Sequence, residues 1–158
     1  MGRGVILSKT KSMEDPLPDS LKIYPPANPD YVSGTYDAVA SIWYRDTTQT
    51  STFTNTITMK KYKSGTVSLR LYANHGSGQT PYVRLDVLNA NGSIKRNIYY
   101  STTGGLGYTW YATVSINSSD IIDGRLVLRG TAFASVYSPD NPSWSVREIH
   151  ITEIVLNK

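Results

Sequence analysis

Thr66-Val67-Ser68-Leu69-Arg70-Leu71-Tyr72-Ala73 alternates without a break: Val67, Leu69, Leu71 and Ala73 share one parity, Ser68, Arg70 and Tyr72 the other. Successive side chains of a strand point to opposite faces, so this stretch reads as a strand with one buried face and one wet face. The pattern returns in 82–89, where Val83, Leu85 and Val87 oppose Arg84 and Asp86. In 110–116, Trp110, Ala112, Val114 and Ile116 oppose Tyr111, Thr113 and Ser115. In 52–59, Phe53, Asn55, Ile57 and Met59 alternate with Thr52, Thr54, Thr56 and Thr58. Such a threonine column resists helix and suits a solvated strand face. Further strands are expected at 37–45, 93–100, 125–135 and 145–156. In the last, the apolar parity changes between Ile149/Ile151 and Ile154/Leu156, which calls for a bulge near Thr152-Glu153.

The punctuation agrees. Asn89-Ala90-Asn91-Gly92 is a hairpin turn. Lys63-Ser64-Gly65 opens the 66–73 strand, and 75–78, 103–107 and 138–142 read as loops. Only 117–123 suits a short helical turn, with Asn117 or Ser118 as its cap. Strands separated by short turns, with no long amphipathic helix, predict an all-β antiparallel two-sheet sandwich of jelly-roll type. Its core is expected to join Val67, Leu69, Leu71, Val83, Leu85, Val87, Trp110, Val114, Leu126, Leu128 and Ile151. Trp43 is expected there too.

The chain has 158 residues, 39% hydrophobic and 18% charged, which suits one packed domain and excludes a disordered or coiled-coil protein. The absence of Cys excludes disulfides, thiolate metal sites and Cys nucleophiles. The net charge of +4 is mild for a nucleic-acid packager. The first 34 residues stand apart. Pro16, Pro18, Pro25, Pro26 and Pro29 forbid helix interior there, and Val5, Ile6, Leu7, Leu17, Leu21, Ile23 and Tyr24 supply apolar anchors. Residues 1–34 therefore read as an extended N-terminal arm that docks on a partner, and 35–158 as the sandwich domain. The apolar run Val5–Leu7 is too short for a signal peptide or membrane span, so a cytoplasmic start without secretion or membrane insertion is expected.

Little chemistry is in sight. The only histidines, His75 and His150, lie in a Gly-rich loop and a strand, which offers neither a metal site nor a triad. The scattered acids single out no catalytic pair and read as solvated surface. Gly104-Gly105-Leu106-Gly107 lacks the Lys-Ser/Thr of a phosphate loop and leads into a strand. No catalytic residue, metal or cofactor is expected. Lys60, Lys61 and Lys63 with Tyr62, and Lys95-Arg96, could serve single-stranded nucleic acid, but lysines that blunt a sheet edge explain them better. Loop aromatics are more telling. Tyr108, Tyr137 and Trp144 flank Gly- or Pro-rich loops, with Asp140 and Asn141 beside them. Rings that stack on sugar C–H faces, with polar groups fixing the hydroxyls, make these five the candidate glycan contacts.

The layout of 36–156 resembles the jelly-roll carbohydrate-binding modules and galactose-binding-like sandwiches. The resemblance is carried by Phe53-Thr54-Asn55-Thr56-Ile57-Thr58, by Lys63-Ser64-Gly65-Thr66-Val67-Ser68-Leu69-Arg70-Leu71 and by the closing run 147–156. It also extends to virus and phage coat, decoration and fibre proteins, and no family-specific binding residue carries over. The resemblance implies one of two non-enzymatic roles. One is a virion structural subunit, made in a host cytoplasm, oligomeric, and anchored to other subunits by residues 1–34. The alternative is a carbohydrate-binding module that recognises a surface glycan.

Overall fold

The computed structural model describes residues 17–23, 32–34, 37–42, 49–75, 82–103, 107–134 and 145–158. The strands are β1 (Ser20–Ile23), β2 (Val32–Gly34), β3 (Asp37–Ile42), β4 (Gln49–Thr58), β5 (Ser64–His75), β6 (Tyr82–Leu88), β7 (Ile94–Ser101), β8 (Tyr108–Ile116), β9 (Arg125–Ala134) and β10 (Ser145–Asn157). A 3-10 turn, Ser118–Asp120, follows β8, where the sequence favours a capped helical turn. Among the described residues no helix is long and apolar enough to cross a membrane.

Two five-stranded antiparallel sheets face each other. The first runs β3–β10–β5–β8, with β1 also paired to β10, and the second runs β2–β4–β9–β6–β7. From β3 to β10 the chain changes sheet at every connection except the β6–β7 hairpin, which is the interleaving of a jelly roll. Inward positions carry the alternating apolar residues. Val67, Leu69, Leu71, Val83, Leu85, Val87, Val114, Leu126, Leu128 and Ile151 share one core with Phe53, Ile57, Met59 and Tyr62. Trp110 packs against this core half-buried, because β8 is a sheet edge. Trp43 lies outside the described residues. Tyr62 belongs to the core, so it is no stacking ring for the neighbouring lysines.

The register of β10 against β5 shifts between Ile151 and Glu153, skipping Thr152, which reconciles the two apolar parities. The same bulge divides the other edge of β10. Its residues 145–150 pair with β3, and 154–157 pair with β1. Two strands, β1 and β2, thus lie within the Pro-rich first 34 residues. Ile23 is only 4% exposed in the core, with Leu17 and Leu21 packed against it. These three apolar residues have their partners within the chain's own sandwich. Val5, Ile6, Leu7 and Tyr24 lie outside the described residues.

Candidate functional site

The outer face of the β2–β4–β9–β6–β7 sheet shows its side chains in rows set by cross-strand register. Tyr82 lies beside Phe133, Arg84 beside Thr131 and Asp86 beside Arg129. On the other side of β9, Thr52, Thr54, Thr56 and Thr58 lie beside Thr131, Arg129, Val127 and Arg125. At about 3.4 Å per residue the face measures roughly 27 Å from Phe133 to Arg125.

One end is aromatic. The rings of Tyr82 and Phe133 stack at 4.7 Å and 17°, and Tyr100 lies 5.4 Å from Tyr82. Tyr100 remains 54% exposed, so the shelf is open to solvent. The guanidinium of Arg84 sits 5.8 Å from the Tyr82 ring centre. Offset aromatic pairs of this kind hold each other's orientation and present rigid apolar area.

Next to the shelf is a fixed polar set. Asp86 has the outward parity of its strand, yet it is fully buried. This corrects the expectation of a solvated surface acid, and the cause lies in its neighbours. Arg84 Nε donates to Asp86 Oδ2 at 2.7 Å, and Asn97 Nδ2 donates to Oδ1 at 3.0 Å. Asn97 reaches it from β7, where the register with β6 shifts between Leu85 and Asp86. Each carboxylate oxygen therefore accepts a charge-assisted hydrogen bond, and the group holds Arg84 in place beside the rings.

Beyond Asp86 the face deepens into a groove of about 550 Å³, with Thr54, Thr56, Val127, Arg125, Arg129 and Leu88 among its lining residues. Two turns wall it. In the β6–β7 hairpin, Gly92 takes φ +83 and donates to the Asn89 carbonyl at 2.9 Å. In the other turn, Asp123 and Gly124 both take positive φ while Ile122 and Arg125 exchange backbone hydrogen bonds of 2.8 and 2.9 Å. An Asp-Gly pair suits this tight turn because both central residues are left-handed.

The segment leading into the second turn is clamped to β7. Arg96 Nε and Nη2 donate to the two oxygens of buried Asp120 at 2.9 and 2.5 Å, and the Asn117 N–H adds a bond of 2.9 Å. Burial pushes the Asp120 carboxyl upward, but the Arg96 hydrogen bond, the Asn117 N–H and the charges of Arg96 and Lys95 outweigh it and hold the group below its ordinary value. A depressed carboxyl contributes stability above its unfolded pKa, near 4, and that stability is lost as pH falls through the lower folded value. Asp120→Asn is thus expected to lose about 1–2 kcal/mol at pH 7. Its stability should also fall less steeply with acid below about pH 4 than that of the parent, as read by urea denaturation at several pH values.

The opposite sheet offers less. Tyr111 is 72% exposed on its outer face, and Glu148 approaches Arg70 at 3.9 Å and His150 at 3.3 Å. Half-exposed pairs of this kind contribute little. Among the described residues no three acidic or histidine side chains gather in a way that could hold a metal ion. Arg147 points inward, is fully buried, and donates to the carbonyls of Thr102 and Thr103. Burial pushes its guanidinium down to about 10. It ties β10 to the end of β7 across the sandwich.

Of the five expected glycan contacts, Tyr108 stands at the start of β8, 49% exposed and stacked on Trp110 at 5.6 Å. Trp110 Nε1 donates to the Tyr99 hydroxyl at 2.8 Å, so this group bridges the edges of the two sheets and lies apart from the groove. Tyr137, Asp140, Asn141 and Trp144 lie outside the described residues. The sequence reading missed Tyr82, Tyr100, Phe133, Arg84, Asp86, Asn97 and Arg129 as a group. The outward parity of Arg84 and Asp86 was the one available signal.

No family model matches the chain, and no curated protein matches it. Among solved structures, it is similar to the K1 cleaved adhesin domain of Lys-gingipain from Porphyromonas gingivalis W83. The identity is 8%, the coverage 91% of this chain and 94% of that one, and the TM-score 0.47. It is also similar to VP2 of infectious bursal disease virus in a subviral particle, at 17% identity and TM-score 0.47; the match takes 80% of this chain but only 32% of that one. A third similar structure is TmCBM61 in complex with beta-1,4-galactotriose, at 10% identity, 86% and 91% coverage and TM-score 0.38. These similarities carry over no site residue.

Proposed function

We propose that this chain is a non-catalytic binding module that takes a saccharide on the outer face of the β2–β4–β9–β6–β7 sheet. The observation that carries the reading is the junction of an open aromatic shelf with a locked polar set. Tyr82, Tyr100 and Phe133 offer flat apolar area, and Arg84, held by Asp86, which Asn97 in turn fixes, offers donors at a fixed position beside it. Saccharides need both: C–H faces pack on rings, and hydroxyls take hydrogen bonds from planar polar groups. The threonine column of β4 adds a hydroxylated flank.

The test is affinity electrophoresis and calorimetry against a panel of soluble polysaccharides. Replacing the exposed Tyr100 by Ala should leave the melting temperature nearly unchanged. It should weaken binding about tenfold or more, as for a central aromatic contact. Unchanged affinity in Tyr100→Ala would remove the shelf from the site.

A second role concerns the start of the chain. With Leu17, Leu21 and Ile23 packed on the chain's own core, the apolar run Val5-Ile6-Leu7 is, with Tyr24, what remains of the expected anchors to engage a neighbour. On this reading residues 1–16 attach the sandwich to other subunits of a virion or similar particle, and the saccharide face points outward from it.

A further inference from the structure

We infer that the groove selects a carboxylate-bearing saccharide, with Arg129 as the residue that pairs with the ligand's carboxylate. This rests on the saccharide reading above and names its ligand class.

Arg129 lies mid-face, with Thr54 on one side and Asp86 on the other. Asp86 would be its natural counter-ion, but Asp86 is ion-paired with Arg84 and bonded to Asn97, and it makes no ion pair with Arg129. Among the described residues the Arg129 side chain has no ion pair, and its buried Nε has no hydrogen-bond partner. A guanidinium in this state is incompletely solvated and incompletely paired, which is costly, and a ligand acceptor relieves that cost. Arg125 faces the same groove four residues along β9, about 13 Å away, exposed and likewise without an ion pair among the described residues. The one carboxylate in the groove lining is Asp123, exposed at the turn tip. Two guanidiniums against one peripheral carboxylate favour an anion. The planar fork of Arg matches the two oxygens of a carboxylate. Val127, between the two arginines on the same face, leaves room for an apolar ring face between two charged contacts.

The experiment compares uronate oligosaccharides (oligogalacturonate, oligomannuronate and oligoglucuronate) with their carboxyl-methylated forms, which keep the rings and hydroxyls but lose the charge. Sulfated galactan oligosaccharides form a third arm. The native chain should bind a free acid about tenfold tighter than its ester, with affinity falling as salt rises. Arg129→Gln should erase that preference, and Arg125→Gln, at an exposed site, should reduce it in part without affecting folding. Equal binding of acid and ester would overturn the carboxylate assignment and leave the saccharide reading standing. Tighter binding of the sulfated series would also overturn it. Binding of none of the acids, esters or neutral polysaccharides would overturn both.

Discussion

A chain beginning at Ser33 is expected to lose at least about 2–4 kcal/mol of stability, the cost of deleting the Ile23 side chain from the core alone. The melting temperature should fall by roughly 5–15 °C for a domain of this size. Ile23 sits in the core, paired with Ile154, and Leu21 pairs with Leu156. Lys158 closes the contact at one end. The Lys158 N–H donates to the Asp19 carbonyl at 3.0 Å, and Lys158 Nζ donates to the Leu17 carbonyl. Without β1, residues 154–157 of β10 become an unpaired apolar edge, an invitation to aggregate. A chain beginning at Leu17 keeps all of this and should melt like the full chain. If residues 1–16 attach the sandwich to a particle, that shorter truncation folds but fails to assemble. Normal assembly would contradict the attachment role. A chain from Ser33 that melts within about a degree of the full chain would contradict the place given to β1.

Gly65→Ala is expected to be almost as damaging, about 3 kcal/mol. Gly65 lies in β5 between β10 and β8, paired with Leu156 and Ile116. A Cβ there would fall well inside contact distance of the Val155 carbonyl oxygen, which is backbone and cannot swing aside. Relief requires β5 and β10 to separate, and this is the longest strand pairing among the described residues. Gly92→Ala is the control. Its φ of +83 disfavours a side chain, but nothing lies near the added atom, so about 1–2 kcal/mol is expected. Guanidinium denaturation of the two variants should rank them in that order, and equal stabilities would contradict the close approach at Gly65.

The sandwich was legible because its strands are long and half-buried. The alternation in 66–73 and 82–89, the turn at Asn91-Gly92 and the parity change at Thr152 each carry a local signal, and each has its counterpart in the structure. β1 was hidden for the opposite reason. Four residues close after Pro16 and Pro18 and before Pro25 are too few to show a period, and only pairing with β10 makes them a strand. The site was hidden because its members are far apart in sequence. Tyr82 and Phe133 meet only through the register of β6 on β9, and Asn97 reaches Asp86 only through a register shift. Parity assigned Asp86 to the outer face correctly, but parity cannot show that Arg84 and Asn97 cover it.

The central claim is that ligand binds on the outer face of the β2–β4–β9–β6–β7 sheet. The most direct test is an amide chemical-shift titration of the full chain with the tightest-binding saccharide from the panel. The expected perturbations run along 82–88 of β6 and 125–133 of β9 and reach Tyr100. Perturbations confined to Tyr108 and the neighbouring sheet ends, or to Tyr72 and Tyr111 on the other sheet, would contradict it.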